Sequence, residues 1–231
     1  MKPGDVLILC GGLGTRLQAV VPDRPKGLAT ISGRPFLDIL VEELLQQGFG
    51  RLIFCTGHGG DQVAAHFSGR SGEQFVFSAE DRPLGTGGAV RNALPHVRSD
   101  PFAVVNGDSF CRVAYADLFA FHGKKAGLAT VVVTPPSERT DVGAIELAAD
   151  ARVLRFAEKP ADAAGALVNA GIYAVQRRLF ETVPQGAAVS LERDILPRAI
   201  AQRACYGYRV AGPLVDIGTP ERYRAAQALL R

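Results

Sequence analysis

The stretch Val6-Leu-Ile-Leu-Cys10-Gly11-Gly12-Leu13-Gly14-Thr15-Arg16-Leu17 decides the fold. Residues 6–10 form a short apolar run closed by glycine, the pattern of a strand buried on both faces. The glycine-rich turn that follows stands at the carboxyl end of that strand, where open α/β sheets bind their ligands. Its glycines let main-chain N–H groups aim inward around an anion, and Arg16 adds a planar, permanently charged fork suited to phosphate. The spacing is neither the GxxxxGKS/T of a Walker A loop nor the dinucleotide fingerprint, which needs a further glycine. Taken alone, the loop also reads as a tight turn with a solvated arginine.

Outward from this loop the same rhythm repeats. Residues 36–47 carry Phe36, Leu37, Leu40, Val41 and Leu44 at helical spacing and stop before Gly48. Strands are expected at 51–55, 75–77, 102–105 and 128–133, with helices at 61–67 and 89–94. This alternation predicts an α/β fold with a mostly parallel central sheet and helices on both faces. Pro135-Pro136 then breaks the chain. Short β-like pieces follow at 143–147, 153–156 and 168–175, helices at 191–201 and 220–230, and a strand at 206–210. A single domain over 1–231 is expected, in which a small β-rich part and the C-terminal helices (135–231) fold against residues 1–134.

The 231 residues are 47% hydrophobic and 21% charged, which excludes disordered, collagenous and coiled-coil classes. No apolar stretch approaches the roughly 18–20 residues that cross a bilayer. The run after Met1-Lys2-Pro3-Gly4 is too short for a signal-peptide core, so a cytoplasmic protein without a membrane partner is expected. The net charge of +3 comes with no long basic run and no tryptophan, hence no nucleic-acid footprint. Arg16, Arg24, Lys26 and Arg34 do gather near the start, as a local anion site would require. Cys10, Cys55, Cys111 and Cys205 form no CxxC pair and the histidines no HExxH, so buried reduced thiols are expected in place of disulfides or zinc.

Other motifs have a functional and a plain reading. Lys26, in Asp23-Arg-Pro-Lys26-Gly-Leu28, is placed by a proline-fixed turn to reach the same phosphates, or is an ordinary surface lysine. Asn106-Gly107-Asp108 ends a strand with a carboxylate suited to a divalent cation, or with a turn. In Leu214-Val-Asp216-Ile-Gly218-Thr-Pro220, Thr219 and Pro220 read as a helix start. That start does not explain Asp216, whose unpaired burial between Val215 and Ile217 would be costly. Pro83-Leu-Gly85-Thr-Gly-Gly88 is a second glycine-rich loop able to approach a flat base, and Glu158, Lys159 and Asn169 end β-like pieces as hydrogen-bonding groups or surface turns.

The ordered set GGLGTRL, PLGTGG, NGD, FAEKP, NAGIY and DIGTP resembles the sugar-1-phosphate nucleotidyltransferases from Val6 to the C-terminal helix, most closely their heptose-1-phosphate guanylyltransferase branch. The resemblance implies a Rossmann-like nucleotidyltransferase fold. It also implies transfer of a nucleotidyl group from an NTP, GTP favoured, to a sugar 1-phosphate, with Mg²⁺ as cofactor. It makes Arg16, Lys26 and Asp108 catalytic, and Asp108 and Asp216 the metal ligands. It lines the nucleotide with Leu9, Gly11, Gly12, Gly14, Thr15, Arg16, Glu80, Leu84, Gly85, Thr86, Gly88, Asn106 and Gly107. Glu80 or Asp81 would face guanine, and Gly143, Glu158, Lys159, Asn169 and Gly171 would hold the sugar. The alternatives are a uridylyltransferase acting on an amino-sugar 1-phosphate such as N-acetylmuramate 1-phosphate, and a mannose-1-phosphate guanylyltransferase. Gly27 and Leu214 depart from the family pattern, standing for a proline and an aromatic residue. No hexapeptide-repeat domain follows, so no acyltransferase activity is expected. Tyr223, Ala226, Leu229 and Leu230 would serve either the core or a homodimer contact.

Overall fold

The computed structural model describes residues 4–70, 74–135, 143–158 and 166–230. The first half runs β1 (Val6–Leu9), the hairpin β2 (Thr30–Ile31) and β3 (Arg34–Pro35), α1 (Phe36–Gln46), β4 (Arg51–Thr56), α2 (Gly60–Phe67), β5 (Gln74–Ala79), α3 (Gly85–Ala93), β6 (Phe102–Asn106), β7 (Ser109–Phe110), α4 (Tyr115–Lys125) and β8 (Ala129–Thr134). The second half adds β9 (Gly143–Leu147), β10 (Val153–Glu158), β11 (Leu167–Val175), a π-helical turn (Leu191–Ile195) leading into α5 (Leu196–Ala201), β12 (Cys205–Arg209), β13 (Val215–Asp216) and α6 (Pro220–Leu229).

One nine-stranded sheet holds the molecule together. Strands β6, β1, β4 and β5 lie side by side and parallel, and β12 runs parallel to β8. Strand β11 is the seam between the halves. It runs antiparallel to β6 and β9 along one edge and to β8 along the other. The doubly buried strands explain the unbroken apolar runs. Val6, Ile8, Leu52, Phe54, Ala103 and Val105 pack on one face with Phe36, Leu40, Val63, Phe67 and Leu118 of α1, α2 and α4. Leu7, Ile53, Cys55, Phe102 and Val104 pack on the other with Val90 and Ala93 of α3 and Leu196 and Ala199 of α5. Each Val, Leu, Ile or Phe side chain so buried contributes about 1.5–3 kcal/mol. All four cysteines are free thiols, and three of them are buried.

Three local features differ from the sequence expectation. Helix α4 is an addition: its buried Tyr115, Leu118, Phe119 and His122 have helical spacing, but a glycine and two lysines at its end dilute the signal. Helix α3 starts at Gly85, not at residue 89, and its first turn is Gly-Thr-Gly-Gly, poor helix formers overruled by packing. The expected helix at 191–201 is split, its first turn being π-helical. The apolar face of α6 divides between roles. Ala226 is buried and the Tyr223 hydroxyl donates to the Thr30 carbonyl at 2.8 Å, while Leu229 is 59% exposed. Among the described residues no helix is long and apolar enough to cross a membrane.

Candidate active site

The carboxyl ends of β1 and β6 open onto a cavity of about 480 Å³. Main-chain pairing of Cys10 N–H with the Cys55 carbonyl at 3.0 Å carries the chain from β1 into the glycine loop, which then closes into a turn with the Leu17 N–H on the Gly14 carbonyl at 2.9 Å. Leu9, Gly11, Gly12, Gly14, Thr15 and Arg16 all line the cavity. Their glycines are required for different reasons. A Cβ on Gly11 would lie 2.9 Å from the Gly57 nitrogen, whereas one on Gly12 would meet nothing within 4 Å. The protein itself therefore gives no steric reason for glycine at position 12, which leaves that side of the cavity open. Gly12→Ala is expected to leave the melting temperature unchanged and to raise the KM for the nucleotide by roughly tenfold, a loss of about 1.4 kcal/mol of binding. Parallel thermal melts and initial-rate kinetics check this.

Lys26 enters the cavity from a 3-10 turn, Lys26–Leu28, started by Pro25. Gly27 fits this turn closely, since a Cβ there would lie 2.7 Å from Leu37 Cδ1. The turn stays closed, with the Leu28 N–H on the Pro25 carbonyl at 2.8 Å. Lys26 Nζ pairs with Asp108 Oδ2, and Ser109 Oγ donates to Asp108 Oδ1 at 3.1 Å. Burial pushes the Asp108 carboxyl up. The Lys26 charge and these hydrogen bonds outweigh it and hold the group below the usual carboxylate range. Arg24 and Arg34 stay outside; Arg34 pairs with Glu42 at 2.5 Å on the surface.

Asp108 and Asp216 are brought together by the two-stranded ribbon of β7 and β13. Asp216 stands opposite Ser109, and the Ile217 N–H donates to the Asp108 carbonyl at 3.1 Å. Asp216 is 8% exposed, and its Oδ1 accepts from the Gly218 N–H at 2.9 Å and from Arg222 Nη1 at 3.0 Å. A Cβ on Gly218, which lines the cavity, would meet Asp216 Oδ1 at 3.0 Å, Arg222 Nη1 at 3.5 Å and Arg16 Nη2 at 3.7 Å. The carboxylate and both guanidinium groups thus converge on one point of the cavity wall. No group of three or more His, Cys, Asp or Glu side chains suited to a metal occurs among the described residues. Two carboxylates completed by water and phosphate oxygens are what Mg²⁺ accepts, so the donor set fits that ion.

On the opposite wall, Glu80 follows β5. Its Oε2 accepts from the Leu84 N–H at 3.0 Å, and its Oε1 lies 3.4 Å from where a Gly11 Cβ would stand. Burial raises its pKa against the opposing effect of the Leu84 hydrogen bond. Asp81 is exposed and does not line the cavity. Gly85 and Thr86 do line it. Gly85 needs its left-handed backbone (φ +69°), and a Cβ there would lie 2.7 Å from the Val189 carbonyl oxygen. Leu84 and Gly88 do not reach the cavity: Leu84 is buried, and Gly88 packs so that a Cβ would lie 2.3 Å from the Ala187 carbonyl oxygen.

Asn106 and Gly107 line the cavity floor. Asn106 Oδ1 is buried without a hydrogen-bond partner among the described residues. Behind it lies β11, where a Cβ on Gly171 would lie 2.5 Å from Asn106 Nδ2. Gly143, Asn169 and Gly171 sit together beyond Asn106, outside the cavity lining. The Glu158 side chain and Lys159 lie outside the described residues. Sequence reasoning passed over Cys10, Leu13, Gly27, Cys55, Pro83, Ala89 and Gly218, all in the lining. Of these, Leu13 carried a signal, a large apolar residue inside a glycine loop, and it is 52% exposed.

An α/β sheet whose strand ends open on a cavity lined by a glycine-rich loop, Arg16, Lys26 and Asp108 has the layout in which open α/β folds bind ligands. The chain belongs to the nucleotidyl transferase family, whose model matches residues 5–231. It is 32% identical to a D-glycero-alpha-D-manno-heptose 1-phosphate guanylyltransferase of Aneurinibacillus thermoaerophilus, over 98% of both chains. It is 33% identical to a mannose-1-phosphate guanylyltransferase of Mycobacterium tuberculosis, over 98% of this chain and 65% of that one. The crystal structure of HddC from Yersinia pseudotuberculosis superposes with a TM-score of 0.86 at 30% identity, covering 99% of this chain and all of that one. The same protein complexed with GMP-PN gives 0.85.

Proposed function

We propose that the protein transfers GMP from GTP to D-glycero-α-D-manno-heptose 1-phosphate, releasing pyrophosphate and supplying GDP-heptose for a capsule or surface polysaccharide in the cytoplasm. The observation that carries the reading is that Arg16 and Lys26 share one cavity with Asp108 and with Gly218, the neighbour of Asp216. The similarity to the Aneurinibacillus enzyme and to the HddC complex with GMP-PN supports guanine and heptose. The Mycobacterium relative favours mannose 1-phosphate as the second acceptor to test.

The sugar phosphate oxygen attacks the α-phosphorus and pyrophosphate leaves in line. A phosphate monoester has its second pKa near ~6, so the nucleophile is already a dianion at neutral pH and no general base is needed. The task is to bring two polyanions together, which is positioning and charge neutralisation. The glycine loop directs N–H groups at the triphosphate, Arg16 neutralises the leaving pyrophosphate, and Lys26 bridges phosphate oxygens near the α-position. Asp108 and Asp216 would hold Mg²⁺, which when bound supplies Lewis-acid charge neutralisation and a template for both substrates.

Glu80 gives the base preference. Its second carboxylate oxygen matches the N1–H and N2–H₂ donors of guanine, which uracil does not offer in that arrangement. Because its folded-state pKa is raised, protonation sets in above the ordinary glutamate range. The KM for GTP is therefore expected to climb as the pH falls toward the carboxylate range, starting at a higher pH than an ordinary glutamate of pKa about 4.3 would cause. In Glu80→Gln the climb disappears, which a KM profile against pH checks. Pyrophosphate release with four NTPs, each against heptose, mannose and N-acetylmuramate 1-phosphates, tests the function itself. GTP with the heptose phosphate is expected to be fastest, and preference for UTP with an amino-sugar phosphate would contradict the reading.

A further inference from the structure

The segment Ser190-Leu-Glu192-Arg-Asp194 carries no recognisable motif. It folds into the π-helical turn ahead of α5, with Ser190 Oγ capping it by accepting from the Arg193 N–H at 3.1 Å. Single π turns are rare and frequently mark functional positions. Here the turn aims Glu192 at two parts of the molecule 87 positions apart in sequence (173 against 86). Glu192 Oε2 accepts from the Thr86 hydroxyl at 2.6 Å and from Ser190 Oγ at 3.1 Å. Its Oε1 accepts from the Tyr173 hydroxyl at 3.0 Å.

An ionised carboxylate only accepts, so each of these hydroxyl protons is committed to it. The acceptor sides are used as well. Thr86 Oγ1 accepts from the Leu191 N–H at 2.8 Å, and the Tyr173 oxygen accepts from Asn169 Nδ2 at 2.8 Å. The chain runs one way, Asn169 to Tyr173 to Glu192 from one end and Leu191 to Thr86 to Glu192 from the other. This polarity assigns the Asn169 amide: Nδ2 faces Tyr173, while Oδ1 accepts from the Gly171 N–H at 3.0 Å. Among the described residues, these bonds leave one Nδ2 proton and one Oδ1 lone pair of Asn169. Thr86, which lines the cavity, has its hydroxyl engaged within the protein as donor to Glu192 and acceptor from Leu191.

We propose that Glu192 is a positioning residue that locks the nucleotide-side loop at Thr86 to the sugar-side strand at Asn169 and fixes the donor and acceptor that Asn169 offers to a sugar hydroxyl. The inference rests on the proposed function, together with the roles that the family resemblance implies for Thr86 on the nucleotide side and Asn169 on the sugar side. Glu192 couples them because one carboxylate anchors both.

Thr86→Val, Tyr173→Phe, Glu192→Gln and Glu192→Ala test it, with GTP and heptose 1-phosphate varied separately and thermal shifts measured with GTP. Loss of a charge-assisted hydrogen bond corresponds to roughly tenfold in binding. Thr86→Val is expected to raise the GTP KM by that factor and Tyr173→Phe the sugar phosphate KM alone. Glu192→Ala raises both, and adding Tyr173→Phe to it changes nothing further. Glu192→Gln, with an acceptor and a donor in place of two acceptors, is expected to fall between wild type and Glu192→Ala. Both KM values within about twofold of wild type in Glu192→Ala, whatever its melting temperature, would overturn the proposal. Tyr173→Phe keeps the ring packing, so an unchanged sugar phosphate KM there overturns it even where Glu192→Ala does not fold. If the wild type turns over no substrate pair, the proposed function fails; the coupling is then read from the GTP thermal shift, which must shrink in Glu192→Gln and Thr86→Val.

Discussion

Asp108→Ala is expected to lower kcat/KM by at least ~10²-fold, the scale on which an oriented charge stabiliser acts. The residue stands in the turn between β6 and β7 in the cavity lining, where Lys26 and Ser109 hold it in its ionised form. Removing it takes away a hard oxygen donor for the divalent cation and leaves the Lys26 ammonium without this anion. Asp108→Asn separates the two effects. It keeps the shape and an oxygen acceptor but not the charge, and should fall nearly as far. Steady-state pyrophosphate release across a Mg²⁺ titration is the measurement. The variants should need far more Mg²⁺ and stay slow at saturation, while circular dichroism reports an intact sheet. Near-full activity of Asp108→Ala at ordinary Mg²⁺ would contradict the metal assignment.

The second large effect is expected at Arg16. Arg16→Ala should also lower turnover by ~10²-fold or more, because the charge developing on the leaving pyrophosphate loses its guanidinium partner. The residue is exposed at the cavity mouth, so its removal empties no core and the melting temperature should hold. Arg16→Lys keeps the charge but not the planar fork, and at a bidentate phosphate site that is no conservative change. We expect it to recover only part of the lost rate. Full recovery in Arg16→Lys would mean that a point charge suffices, and unchanged turnover in Arg16→Ala would remove the residue from the mechanism. Lys26 differs in kind: it is tied to Asp108 and only 18% exposed, so its substitution mixes catalytic with local structural effects.

Much of this was legible in the amino acids, for identifiable reasons. The run at 6–10 and its counterparts in β4 and β6 are apolar on both faces because helices cover both faces, so short uninterrupted runs marked the parallel core. Asp216 was legible from cost alone: an aspartate between Val215 and Ile217 had to be partnered, and Arg222 and the Gly218 N–H partner it. Thr219 caps α6 as read, accepting from the Arg222 N–H at 3.4 Å. What escaped was non-local. That β11 slots between β6 and β8 depends on pairings across more than thirty residues of sequence, and no local pattern announces them. Gly88 passed as a ligand-facing glycine because Ala187, the residue that demands its bareness, lies 99 positions on (187 against 88). Glu192 fell within the helix expected at 191–201 and was not singled out, since a π turn has no sequence signature and its partners Thr86 and Tyr173 arrive from α3 and β11.

The proposal that Asp108 and Asp216 share one metal bears the greatest weight, because the mechanism passes through it and the β7 and β13 ribbon sets Asp216 opposite Ser109, the residue after Asp108. A crystal grown with Mn²⁺ in place of Mg²⁺ and a non-hydrolysable GTP analogue tests it through the anomalous signal of the metal. One peak within about 2.0–2.2 Å of an oxygen from each carboxylate and of a phosphate oxygen is the predicted result. A metal bound by only one of the two aspartates, or away from both, would contradict it.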